Sequence, residues 1–163
     1  LGKALEDADL VLLSGGISVG DYDFVLEATR ACGVMEQFYK VRQKPGKPLF
    51  FGTKAGKYVF ALPGNPGSAL TCFYEYVLLY LATALKRPEL YNRRQARFDG
   101  AYEKGVGLAH FLKGRFDGTK VVNLGAQESY KLISFAVANC LIFVPEDAAG
   151  IHDGDQVDIL TIS

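Results

Sequence analysis

Twice in its first 70 residues the chain runs through a short apolar stretch, breaks on closely spaced glycines and enters a segment of helical spacing. Asp9-Leu10-Val11-Leu12-Leu13 ends at Ser14-Gly15-Gly16, and the run at 58–62 ends at Pro63-Gly64-Asn65-Pro66-Gly67. A continuous apolar run of this length suits a strand buried on both faces of a parallel sheet. After the first break, Phe24, Val25 and Ala28 recur at helical spacing within 22–31, with Ser18 or Asp21 to cap the start and Gly33 to stop it. After the second, Asn65 serves as cap and Pro66, which lacks the N–H that would be unbonded there, opens the long segment 69–85. Lys86-Arg87 and then Pro88 mark its end. Its crowded Phe73, Tyr74, Tyr76, Val77, Leu78, Leu79, Tyr80 and Leu81 predict a helix covered on more than one side. A third strand is expected at 37–42, where alternation would put Lys40 and Arg42 on one face.

Beyond residue 90 the rhythm changes. Short strand candidates at 95–99, 110–116, 120–124, 139–144 and 156–161 are separated by Gly, Asp and Asn, and Asp117-Gly118 is a hairpin signal. That pattern predicts a small β-sandwich or barrel. The expected organisation is therefore an α/β part over 1–90 and a small all-β domain over 91–163. One strand–crossover–strand unit takes roughly 30 residues, so 1–90 holds only part of a parallel sheet, and with Leu rather than Met at position 1 an upstream portion is expected.

Eighteen Lys+Arg balance eighteen Asp+Glu, which excludes a general polyanion binder and with it a nucleic-acid partner. No apolar run approaches the roughly 18 residues of a membrane span, and the first residues do not read as a targeting signal. A cytoplasmic protein with no membrane partner is expected. Cys32, Cys72 and Cys140 are an odd set in apolar surroundings, which fits reduced core thiols. His110 and His152 lack a paired His or Cys and read as ordinary core or surface histidines.

The neutrality conceals a segregation of charge. Between Glu36 and Glu75 no acid occurs, but Lys40, Arg42, Lys44, Lys47, Lys54 and Lys57 do. Scattered lysines commonly form a solvated face; here Lys44-Pro45-Gly46-Lys47-Pro48 fixes two ammonium groups in a stiff turn, which favours an oxyanion site. The glycines at 15, 16 and 20, with Ser14 and Ser18, would let backbone N–H groups approach a phosphate at a helix start. The same glycines would also serve a plain tight turn. Asp21 and Asp23 fit either a helix cap or a divalent cation beside an anion. The turn at 62–68 repeats the first arrangement, so two helix starts would converge at one edge of the sheet, where open α/β folds place ligands. As a helix entry alone it would need no function.

In this order, SGGISVGDYDF at 14–24, KVRQKPGKP at 40–48 and LPGNPGSA at 62–69 resemble the C-terminal part of the molybdopterin molybdenumtransferase family, which includes the E domain of gephyrin. The resemblance implies the later half of a three-layer molybdopterin-binding α/β domain followed by a small β-barrel. It implies ligation of molybdate to the dithiolene of adenylylated molybdopterin, with magnesium-dependent release of AMP, in a homodimer. It assigns catalytic roles to Asp23, Lys40 and Lys44, with Asp23 also the candidate ligand for magnesium or molybdate. Cofactor-binding positions are Ser14, Gly15, Gly16, Ser18, Gly20, Lys47, Pro63, Gly64, Asn65 and Pro66, and in the β domain Lys113 and Ser129. Lys113 stands where the family usually has arginine, and an ammonium lacks the planar fork of bidentate recognition. The family's earlier domains have no counterpart in these residues, so the chain alone is expected to be inactive. Two alternatives follow from the same motifs, a gephyrin-like scaffold that binds a peptide and a molybdopterin adenylyltransferase; relatives of the latter kind lack a following barrel.

Overall fold

The computed structural model describes residues 1–17, 24–125 and 133–162. Its first part contains α1 (Gly2–Asp7), β1 (Leu10–Ser14), α2 (Phe24–Ala31), β2 (Met35–Tyr39), β3 (Gln43–Lys44), β4 (Phe50–Lys54) and β5 (Lys57–Leu62). A helical segment follows as α3 (Pro66–Cys72), a π-helical turn at Phe73–Val77 and α4 (Leu78–Ala84). Strands β1, β5, β4 and β2 form a sheet in that order. The sheet is mixed, not parallel as expected: β1 and β5 run parallel, whereas β5, β4 and β2 are antiparallel neighbours. The reason is local, since Ala55 and Gly56 both take positive φ in a two-residue turn, which reverses the chain and leaves no length for a crossover.

The sheet lies between two helical layers. On one side Val11, Val59 and Ala61 pack with Leu5 of α1 and with Val25 and Leu26 of α2. On the other, Leu10, Phe60 and Leu62 pack with Ala69, Cys72, Val77 and Tyr80 of the 66–84 segment. Strand β5, buried on both faces over its last four residues, is the centre of this three-layer half. Strand β1 is not buried on both faces as its apolar run suggests; it is the outermost strand of the order, and Leu12 is 42% exposed.

A closed barrel forms the second sheet. Its strands are β6 (Arg93–Asp99), β8 (Ala109–Phe116), β9 (Lys120–Asn123), β10 (Cys140–Val144) and β12 (Gln156–Thr161), following the 3-10 turn Pro88–Leu90. The order β10-β12-β6-β9-β8 closes through β8–β10 pairing. Ala96, Phe98, Leu112, Val121, Ile142, Val144, Val157 and Ile159 fill the interior. The Asp117-Gly118 hairpin forms as the dipeptide suggests, with Asp117 Oδ1 accepting from the N–H groups of Thr119 and Lys120 at 2.9 Å each. The remaining elements are a two-stranded ribbon of β7 (Tyr102–Glu103) and β11 (Gly150–Ile151) and a short α5 (Ile133–Val137). Strand β3 joins the barrel sheet, not the first one, by pairing in parallel with Ala109 and His110 of β8.

The three cysteines are free thiols; Cys72 and Cys140 are buried, Cys32 half-buried. Burial pushes the thiols of Cys72 and Cys140 up to about 12, so both stay protonated at neutral pH.

Candidate functional site

The parallel pairing of β1 and β5 puts Ser14 opposite Leu62, so both strands release their turns at the same edge of the sheet. The Gly15 N–H donates to the Leu62 carbonyl at 3.2 Å. Gly15 and Gly16 have φ of 82° and 68°, and a Cβ placed on Gly64 would lie 3.4 Å from the Gly15 Cα. The two glycine turns therefore come into van der Waals contact. From the second turn Asn65 caps the helix: its Oδ1 accepts from the Ser68 N–H at 3.3 Å, with Pro66 in the first helical position. Pro63 is buried, while Gly64 and Pro66 are exposed beside the positive end of the helix dipole.

The lysine turn rests on this helix. Lys40 follows β2 with φ 66°, and the Lys40 and Val41 N–H groups donate to the carbonyls of Leu49 and Lys47, each at 2.9 Å. The strand expected at 37–42 thus ends at Tyr39, and the left-handed Lys40 breaks the alternation that would have put Lys40 and Arg42 on one face. After the cis Lys44–Pro45 bond, Gly46 (φ 90°) packs so closely that a Cβ there would lie 2.5 Å from Cys72 Sγ and 3.5 Å from the Ser68 carbonyl oxygen. Turn and helix start are in direct contact.

The six cations of the segment divide by use. Arg42 donates to the Gly107 carbonyl at 3.1 Å and pairs with Glu146 at 3.6 Å. Lys54 bonds the Cys32 carbonyl, and Lys57 bonds the carbonyls of Glu6 and Ala8 where α1 ends. Lys40, Lys44 and Lys47 are exposed, make no ion pair among the described residues, and flank the turn. The Lys40 ammonium stands 4.7 Å from the centre of its neighbour Tyr39's ring.

Beneath the turn lies a polar network that sequence reasoning missed. Gln43 is 3% exposed; its amide nitrogen donates to the Pro45 carbonyl at 3.0 Å and reaches Cys72 Sγ at 3.7 Å, while its amide oxygen accepts from the Tyr76 hydroxyl. The Cys72 thiol donates to the Gly46 carbonyl at 3.6 Å. The π-helical turn at 73–77 presents Tyr76 to this network and Glu75 to the barrel strand β6, where Arg93 meets the Glu75 carboxylate at 2.6 Å and the Tyr91 hydroxyl donates to it at 3.2 Å. A Gln between basic residues and a Tyr in an aromatic run carried no periodic signal that would have singled them out.

Lys113, on β8, is 4% exposed, with its ammonium 5.5 Å from the Phe135 ring. It lies three residues along the strand from His110, which pairs in register with Lys44. His110 Nδ1 is 2.8 Å from the Tyr102 hydroxyl; burial first, and then the ammonium groups of Lys104 and Lys44, hold its imidazole below the ordinary value. His152, by contrast, is at the surface and 3.0 Å from Glu103. Ser18, Gly20, Asp21, Asp23 and Ser129 lie outside the described residues. Among the described residues no group of three or more His, Cys, Asp or Glu could hold a metal ion. A surface groove of about 350 Å³ between Arg97, Asp99, Lys120 and Asp153 has its charges paired, Lys120 with Asp99 at 2.5 Å and Arg97 with Asp153 at 3.9 Å.

Known proteins share both halves of this arrangement. The family model described as "Probable molybdopterin binding domain" matches residues 1–83, and that described as "MoeA C-terminal region (domain IV)" matches 95–162. A molybdopterin molybdenumtransferase of Haemophilus influenzae is 32% identical over 96% of this chain, and one of Staphylococcus aureus strain Mu50 is 30% identical over 97%. The chain spans about 40% of the length of these relatives. A crystal structure of a molybdopterin biosynthesis moeA protein from Pyrococcus horikoshii superposes with a TM-score of 0.76 at 29% identity, over 98% of this chain and 38% of that one. A molybdenum cofactor biosynthesis protein from Pyrococcus furiosus shares the fold, with a TM-score of 0.77 at 22% identity over 98% of this chain and 51% of that one. Matched in both its α/β and its barrel parts, the chain belongs to the molybdopterin molybdenumtransferase family.

Proposed function

We propose that this chain supplies the anion-holding part of a molybdopterin molybdenumtransferase, the enzyme that ligates molybdate to the dithiolene of adenylylated molybdopterin and releases AMP. The observation that supports the reading best is the meeting of three motifs at one helix start: Gly15 against Gly64, Asn65 capping Ser68, and Gly46 against Ser68 and Cys72. Molybdate and the pterin phosphate are both anions and repel one another unless positive potential surrounds them. Here that potential comes from the first turn of a long helical segment, and from Lys40, Lys44 and Lys47 on a turn whose backbone is held before any ligand arrives. The glycine turns offer backbone N–H groups to phosphate oxygens, and the lysines act as point charges on the oxyanion.

In this reading Lys40 and Lys44 act in the reaction together with Asp23. Ser14, Gly15, Gly16, Ser18, Gly20, Lys47, Pro63, Gly64, Asn65 and Pro66 bind the substrates, and Lys113 and Ser129 contribute from the barrel. Magnesium belongs to the proposal through Asp23 alone, because the described residues provide no ligand set for it. Residues 1–90 and 91–163 act as two domains of a cytoplasmic homodimer; no described helix is long and apolar enough to cross a membrane. The closed barrel disfavours the adenylyltransferase reading, since β6–β12 do not extend the α/β sheet.

The test is a titration of sodium molybdate into the protein at its natural length, with and without Lys44→Ala. Loss of a charge-assisted contact is expected to weaken binding roughly 10-fold or more. Unchanged binding removes Lys44 from the site.

A further inference from the structure

We propose that Gln43 is a positioning residue for oxyanion binding, holding the turn that carries Lys44 and Lys47 against the helix start. The inference rests on the reading that this turn binds molybdate or a phosphate. Gln43 is buried between two exposed cations, Arg42 and Lys44, and each part of it is engaged. Its backbone pairs with Ala109 of the barrel strand β8. Its amide nitrogen donates to the Pro45 carbonyl inside the turn, at 3.0 Å, and its amide oxygen accepts from Tyr76 on the π-helical turn. One residue, through its side chain and its backbone, therefore ties turn, helix and barrel together, and the Cys72 thiol supports it by donating to Gly46.

The chemistry of the side chain matters as much as its place. Lys44 and Lys47 stand three residues apart on the turn, both exposed, so whatever holds the turn must leave their charges available to an anion. A carboxylate at position 43 would lack the donor that the Pro45 carbonyl needs and would add negative charge beside the cations. A neutral amide can both donate and accept, so it fixes the turn without neutralising the cations. An aliphatic residue would fill the space but leave the Tyr76 hydroxyl and the Pro45 carbonyl unpaired in a buried setting.

The experiment titrates sodium molybdate by calorimetry into the protein at its natural length, as wild type, Gln43→Leu, Tyr76→Phe, Lys44→Ala and the two combinations with Lys44→Ala. Circular dichroism and the thermal midpoint check the fold. The expected result is roughly 5- to 10-fold weaker binding for Gln43→Leu and a smaller loss for Tyr76→Phe. Because Gln43 acts through Lys44 and Lys47 together, either loss should be clearly smaller in the Lys44→Ala background, where only Lys47 is left to position. A residue with a purely structural role would add its full effect there. Wild-type affinity in folded Gln43→Leu, or full additivity with Lys44→Ala, overturns the proposal. If Gln43→Leu does not fold, Tyr76→Phe alone and with Lys44→Ala decides the matter on the same criterion. Should Lys44→Ala bind molybdate like wild type, it is the oxyanion reading of the turn that fails; a weakened Lys44→Ala beside an unaffected Gln43→Leu rejects the positioning role alone.

Discussion

A methyl group on Gly46 would sit 2.5 Å from the Cys72 sulfur and 2.9 Å from the Gln43 amide nitrogen, on a backbone whose φ of 90° side chains rarely adopt. Neither neighbour can retreat cheaply, because Cys72 is fully buried in the helix and Gln43 is tied to Pro45 and Tyr76. Gly46→Ala is therefore expected to cost on the order of 2–3 kcal/mol through overpacking and backbone strain. A urea denaturation midpoint within error of wild type would contradict this. Lys44 and Lys47 flank this crowded glycine with their side chains exposed, whereas Arg42, Lys54 and Lys57 bond carbonyls of other elements.

The 66–84 segment carries the greatest load of any element. At its start the Asn65 side chain accepts from the Ser68 N–H and closes the first turn. Asn65→Ala should lose about 1 kcal/mol of stability with the cap. Asn65→Asp separates the two roles, because a carboxylate caps as well as an amide but brings negative charge to an anion site. Its thermal midpoint should match wild type while molybdate affinity falls; equal affinity in the two proteins argues against an oxyanion beside Asn65. Further along, the π-helical turn at 73–77 shifts the helical phase so that adjacent Glu75 and Tyr76 meet β6 and Gln43 respectively.

Among the described residues, polar connections that tie the three-layer half to the barrel include β3 on β8, Arg42 on Gly107 and Glu146, and Glu75 on Arg93 with Tyr91. Glu75 is 4% exposed, and its burial outweighs the pull of Arg93, so the carboxyl titrates above its ordinary 4.5. A raised carboxyl value favours the folded state fully below the unfolded value and loses that advantage as pH rises through the folded one. Glu75→Gln removes this titration while keeping an acceptor for Arg93. Denaturation midpoints measured from pH 4 to 8 should show wild type losing ground to Glu75→Gln as pH rises; the opposite trend would show that the ion pair dominates the burial.

Much of this architecture was legible in short stretches of chain. The strand runs around 10–14 and 57–62, the Asn65-Pro66 helix start, the barrel strands and the Asp117-Gly118 hairpin each follow from propensity, capping or alternation acting over a few residues. The acid-free segment at 37–74 was equally plain. What the chain could not declare locally were contacts across long separations: that Gln43 and Lys44 pair with β8 some 65 residues later, that β4 reverses against β5 and makes the sheet mixed, and that Gly46 meets Cys72 and Gln43 meets Tyr76. Alternation predicted a strand through Lys40, and a left-handed residue ended it at Tyr39. Which segments form strands, turns and helices, and where positive charge gathers, could be read from the chain because those depend on neighbours along it. That Lys40, Lys44 and Lys47 stay without ion pairs among the described residues, and that a buried amide bonds both the turn and Tyr76, came from packing alone, which brings together residues that no local pattern relates.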